Sequence, residues 1–169
     1  ITGYLDGTVD FDPSLTVATQ GGTADAYIAK YDANGNYLFA FRINGSQDIW
    51  THDVLVDKSK NINVVGHFRQ YIYLNPQSSN GNMTALSVWE TFIAQYDSLG
   101  NFKWKQKITG NMFPFSSWNE SKDMALDSNN SIYIIGQTDN NATWLDFDFN
   151  TTAGTYPANG VNFTNTVFY

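Results

Sequence analysis

The sequence predicts an all-β protein made of repeated antiparallel strands, and three observations carry that expectation. Residues 27–38 read YIAKYDANGNYL, and residues 92–103 read FIAQYDSLGNFK; residues 57–66 read DKSKNINVVG, and residues 127–136 read DSNNSIYIIG. These segments alternate apolar with polar residues and are bounded by Asp, Asn and Gly, the pattern of strands joined by tight turns. Aromatic content is 16%, with twelve Phe, ten Tyr and five Trp, which favours pleated, half-buried surfaces. No segment carries a capped apolar stripe of period 3.6, so almost no helix is expected.

Four strand segments recur, lettered A to D by their place in the repeated unit. The chain opens on the tail of a B strand at 1–4, followed by C at 26–31 and D at 37–43. A second unit has A at 53–57, B at 62–68, C at 91–96 and D at 102–108. A third has A at 123–127, B at 132–137 and the start of C at 166–169. Between C and D, the turns at 32–36 and 97–101 place Gly35 and Gly100 where a tight hairpin needs positive φ, with Asp32 and Asp97 ready to cap turn amides. The A–B connections, 58–61 and 128–131, are alike in length. The B–C connections, 4–25, 69–90 and 138–165, are long and dissimilar.

Four antiparallel strands in roughly 65 residues, repeated with small insertions, describe a β-propeller blade. The competing architecture is a β-sandwich made by internal duplication, although sandwiches seldom keep one turn chemistry between copies. The expected fold is therefore a partial β-propeller of about two and a half four-stranded blades. It forms a single segment over 1–169, divided into an incomplete blade at 1–49, a complete one at 50–110 and an incomplete one at 111–169. A ring closes with about four to eight blades, so the expectation is a part of a longer chain, the alternative being a ring assembled from several copies.

The net charge is −7, with 16 acidic against 9 basic residues and no Lys/Arg cluster. Nucleic acid and anionic membrane surfaces are unsuitable partners for such a chain. There is no cysteine, which excludes disulfides and thiolate zinc sites. No apolar run approaches the ~20 residues of a membrane-spanning helix. The sequence starts at Ile1 with neither Met nor a signal peptide, so any targeting segment is expected outside it. A composition rich in Asn, Thr, Ser and Gly, with 15% charged residues, suits an extracellular surface.

Two stretches resemble the bacterial β-propeller repeat called the SBBP repeat. One is Gly3 followed by Gly7-Thr8-Val9-Asp10-Phe11-Asp12-Pro13; the other is Asp25-Ala26-Tyr27-Ile28-Ala29-Lys30-Tyr31-Asp32 with Gly35-Asn36. The copies drift, with Leu74-Asn75-Pro76 in place of Phe11-Asp12-Pro13, and Asp146-Phe147-Asp148 keeping the acids but losing the Pro. The resemblance implies a propeller fold, an extracellular or cell-surface setting and a source of the Bacteroidota type. It implies no catalytic residue.

Candidate sites follow from side-chain chemistry. Asp10 with Asp12, and Asp146 with Asp148, lie at alternate strand positions and, with Asp6 nearby, offer oxygens to Ca²⁺. The plainer reading is solvated carboxylates beside a turn, since Tyr73 and Asn75 replace the pair in the middle copy and no twelve-residue calcium loop follows. Trp50 and Trp118 precede strand A, and Trp89 and Trp144 lie in B–C connections. Each is a candidate for stacking on a sugar ring, or for packing between blades. His52 and His67 are the two histidines; neither has a His or Cys at metal-ligand spacing, and both read as surface or turn residues without catalytic role. Sequons stand at Asn44, Asn82, Asn119, Asn129, Asn141, Asn150 and Asn162.

The leading functional expectation is a non-catalytic scaffold of a secreted or cell-surface bacterial protein. It would need no cofactor beyond a candidate Ca²⁺ and would mediate protein interaction or adhesion. Its partners would be other proteins or remaining blades of the same chain, met through the variable B–C and D–A loops. Partner specificity would lie in residues 5–24, 69–89 and 138–165. A carbohydrate-binding propeller using the tryptophans is the second reading, and a propeller glycoside hydrolase with paired carboxylates the third.

Overall fold

Residues 1–110, 119–138, 144–147 and 155–157 are described by the structure, a computed structural model. They form an all-β partial propeller with one 3-10 turn at Ser79–Gly81 and no α-helix. In chain order the strands are β1 (Thr2–Asp10), β2 (Thr19–Tyr31), β3 (Tyr37–Gly45), β4 (Ile49–Val56), β5 (Ile62–Phe68), β6 (Tyr71–Tyr73) and β7 (Asn82–Thr84). They continue with β8 (Glu90–Tyr96), β9 (Phe102–Gly110), β10 (Asn119–Leu126), β11 (Ile132–Thr138), β12 (Trp144–Asp146) and β13 (Thr155–Pro157). One sheet has the order β1-β2-β3-β6-β7, a second β13-β12-β9-β8-β5-β4, and β10 pairs with β11.

Period-2 alternation sorts the apolar side chains between neighbouring blades. Ile62, Val64 and Phe68 of β5 join Phe92, Ala94 and Tyr96 of β8 in one cluster with Ala26, Ile28 and Ile43 of the first sheet. Val65 and Ile93 point the other way, onto Met124 with Ile132 and Ile134. Leu5, Phe11 and Ala29 occupy the opposite face of the first sheet. Strand β5 is buried at every residue because it has a blade on each side.

The tight turns share one chemistry. Asp32 Oδ1 accepts from the amides of Asn34 and Asn36, while Oδ2 accepts from Asn36 Nδ2. Asp97 repeats this with Leu99 and Asn101, and in the A–B turns Asp57 holds Asn61 and Asp127 holds Asn129 and Ser131. Hydrogen bonds from Asn36 and Asn101 hold the Asp32 and Asp97 carboxyls below the ordinary aspartate range. A folded pKa below the unfolded one stabilises the fold above the unfolded value and loses that contribution as pH falls through the folded one. Stability should therefore drop as pH is lowered below about 4, and the double variant Asp32→Asn, Asp97→Asn should flatten that slope in acid titrations followed by circular dichroism.

The long B–C connections depart from expectation. Instead of free loops, each contains a pair of antiparallel strand segments of a single design. The pairs Thr8↔Gly21, Val9↔Gln20 and Asp10↔Thr19 match Tyr71↔Thr84, Ile72↔Met83 and Tyr73↔Asn82, and also Trp144↔Pro157, Leu145↔Tyr156 and Asp146↔Thr155. Eight residues (11–18, 74–81, 147–154) separate the paired ends each time. Entry into the hairpin uses positive φ at both Gly7 (90°) and Gln70 (55°). The later two hairpins extend the sheet of the preceding blade in one register, with Ile72↔Gly45 and Tyr73↔Asn44, then Leu145↔Gly110 and Asp146↔Thr109. Ile72 and Leu145 are buried there, whereas Val9, in the same place on the first hairpin, is 41% exposed.

The first two hairpins are also tied to their own blades. Tyr96 Oη donates to Leu74 O at 2.7 Å, as Tyr31 Oη does to Phe11 O at 2.7 Å. Beside them, repeated acid–base pairs anchor the returning chain. Asp25 meets Arg42 at 3.4 Å, and the buried Glu90 meets Lys107 at 2.8 Å and accepts from Thr109 Oγ1 and the Leu86 amide. Tyr96→Phe leaves a buried carbonyl unpaired and is expected to cost about 1–3 kcal/mol in urea unfolding. Tyr31→Phe, at a half-buried site, should cost less.

Candidate functional site

Strand β4 carries one residue more than β5 opposes. Its register passes from Thr51↔Gly66 to Asp53↔Val65, so His52 is the extra residue of a β-bulge. The bulge recurs between β10 and β11, where Ser121↔Gly136 is followed by Asp123↔Ile135 and Lys122 is the extra residue. In both places the bulge stands opposite the glycine of the repeated motif. A Cβ on Gly66 would lie 2.8 Å from Phe92 Cε1 and 2.9 Å from Thr51 Cα, and closer still to the Trp50 carbonyl.

The bulge brings His52 onto His67, with Nε2 and Nδ1 2.8 Å apart. Glu120 reaches the same nitrogen from β10, its Oε2 3.5 Å from His67 Nδ1. The three donor atoms lie within 4.8 Å of one another. Gln137 Nε2 donates to Glu120 Oε1 at 2.7 Å, and Lys122 Nζ sits 2.9 Å from that oxygen, so Oε2 is the oxygen turned to the histidines. Trp89 meets His67 edge-on at 4.7 Å, and Arg69 covers Trp89 at 5.4 Å.

Burial pushes the His52 imidazole below its ordinary value. Burial, with His52 alongside, takes His67 down to about 4. Glu120 is pushed up by burial, but hydrogen bonds from Lys122 and Gln137 and the Lys122 charge outweigh it, leaving the carboxyl below the ordinary range. Near neutral pH the cluster is two neutral imidazoles beside one carboxylate. Such a set can coordinate a divalent transition metal.

The expectation that the histidines are isolated surface or turn residues is corrected here. They lie on adjacent strands and His67 is buried. Spacing in sequence did not reveal them, because a bulge and a blade seam make the contact.

Trp50, expected in a loop before strand A, lies within β4 and is 41% exposed. It stacks on Tyr4, with ring centroids 4.3 Å apart and planes at 15°. Trp89 is half-buried against His67, far in role from a free loop tryptophan. Trp144 lies in β12 rather than in a loop, and Trp118 lies outside the described residues. Trp50 and Trp89 thus have different aromatic partners, Tyr4 and His67.

The acidic pairs have turn work. Asp10 Oδ1 accepts from the amides of Asp12 and Ala18, and Asp12 Oδ1 accepts from Ser14 N. Asn75 Oδ1 accepts from Gln77 N in the same way, which explains why Asn can replace Asp: the turn needs an acceptor, not a charge. Asp146 lies in β12 and Asp148 outside the described residues. Asp6 is exposed.

No protein-family model matches the chain. It is 29% identical, over 147 residues, to an uncharacterized WD repeat-containing protein of Acanthamoeba polyphaga mimivirus. That alignment covers 80% of this chain and 10% of the relative, so the chain spans about a tenth of the protein it matches.

Proposed function

We propose that the chain is a propeller segment serving as a non-catalytic scaffold for protein interaction. WD repeats build β-propellers, and the likeness to a WD repeat-containing protein supports a repeat of that type. The observation that carries the reading is the first hairpin. Its tip exposes Leu15 (104%) and Val17 (71%), yet its backbone is held by Asp10, Asp12 and Ser14 side chains. Exposed apolar side chains on a braced tip are suited to a partner's surface, since little ordering entropy remains to be lost. The braced tip of the first hairpin thus replaces a flexible loop as the recognition element. Kinship with SBBP repeats, a bacterial source and a secreted or cell-surface location belong to the same proposal.

A photo-crosslinking residue at position 15, introduced in the native source, tests it. A discrete protein adduct that Asp10→Ala weakens is expected; diffuse labelling that Asp10→Ala leaves unchanged would count against the scaffold role. Exposed Trp50, already backed by Tyr4, favours glycan stacking as a second reading. It predicts oligosaccharide-array binding that Trp50→Ala abolishes.

A further inference from the structure

We infer that His52, His67 and Glu120 form a site for a late divalent transition metal of the zinc class, held across the seam between the second sheet and β10–β11. This assignment does not depend on the partner proposed above. Zinc bonds of about 2.0–2.2 Å in a tetrahedron set ligand atoms about 3.3 Å apart. The His67–Glu120 separation of 3.5 Å is already close to that. The His52–His67 separation of 2.8 Å must widen by about half an ångström, a small rotation for two side chains.

One nitrogen of the 2.8 Å histidine contact must carry a proton in the metal-free protein. On metal binding, that proton moves to the other nitrogen of its ring, and both imidazoles coordinate while neutral. Glu120 is prepared for a single bond to the metal, because Gln137 and Lys122 hold Oε1 and leave Oε2 for the ion. Two imidazoles with one carboxylate select zinc-class ions over Ca²⁺ or Mg²⁺, which prefer oxygen shells. A fourth position remains for water.

Comparison of the copies gives the second, independent observation. Positions shared by every unit are scaffold, and none of these three donors is shared. Through the common register, Lys122 stands where His52 stands, Gln137 where His67 stands, and Trp50 where Glu120 stands. At the preceding seam, the residues equivalent to His67 and Glu120 are Tyr4 and Trp50, which close it by ring stacking at 4.3 Å. One seam is closed by aromatic rings, and the next presents a metal-ligand set instead. In this reading the ion staples the blades where the rings are missing.

Calorimetric titration of the chelator-treated full chain with Zn²⁺, with Ca²⁺ and Mg²⁺ as controls, tests the assignment. One Zn²⁺ per chain is expected, with a rise in unfolding temperature and no binding of the two controls. His52→Ala, at a half-exposed bulge residue, and Glu120→Gln should abolish both effects, and Gln137→Ala should weaken binding about tenfold. Co²⁺ should give tetrahedral d–d absorption in the wild type, and circular dichroism shows whether each variant is folded. Absence of Zn²⁺ binding, or binding unchanged in folded His52→Ala, would overturn the site. Binding without a rise in unfolding temperature would overturn the stapling role.

Discussion

Gly66→Ala is expected to lower stability by about 3 kcal/mol or more, one of the largest effects open to a single methyl group in this protein. The added Cβ would collide with the Trp50 carbonyl and approach Phe92 Cε1 at 2.8 Å and Thr51 Cα at 2.9 Å. Two of those three neighbours are backbone atoms, which cannot turn aside as a side chain can. Strand β5 is also buried along its whole length, so it has no solvent side to move toward. The strain falls on the bulge that places His52, so relaxation would separate His52 from His67. Urea unfolding should show the lost stability as a lower midpoint, and Zn²⁺ titration the disturbed cluster. A variant as stable as the wild type would mean that β4 can retreat without cost.

Gly45→Ala should cost about 2–3 kcal/mol, with a more local signature. Its Cβ would strike the Tyr71 carbonyl and come within 2.9 Å of Ile49 Cδ1. Tyr71 O is the acceptor for the Ser46 amide at 3.1 Å, so the substitution pries β6 from β3. Hydrogen exchange should accelerate at Ser46 and across β6 and β7, while β5 and β8 keep their protection. The hairpin's other attachment, Tyr96 to the Leu74 carbonyl, should hold its base in place. Global loss of protection would instead show that the β3–β6 pairing carries the whole inter-blade interface.

These two glycines show how far the sequence could be read. The repeated Gly3, Gly66 and Gly136 were visible as one position of a motif, and the strands around them were placed almost to the residue in β5. What Gly66 opposes was not visible. A bulge leaves no mark in the alternation of one strand, because it is a relation between two strands. For that reason A was expected at 53–57, whereas β4 begins at Ile49.

The hairpins were hidden for a different reason. Residues 5–24, 69–89 and 138–165 share little sequence, yet 8–10 with 19–21, 71–73 with 82–84 and 144–146 with 155–157 pair in one pattern. Backbone pairing needs few particular side chains, so its register survives while the residues drift. The clue present in the sequence was the constant place of Val9, Ile72 and Leu145 ahead of Phe11, Leu74 and Phe147. It marked a further repeated strand beyond A to D rather than a variable loop.

The sequence by itself determined the all-β class, the four-strand unit and the Asp-based turns, because alternation and turn geometry are local consequences of residue type. Only the tertiary structure decided what spans the units. It laid each later hairpin on the preceding blade and brought His52, His67 and Glu120 into one cluster. Those contacts join residues 15 and 53 positions apart, through a bulge and a seam whose geometry no single segment encodes.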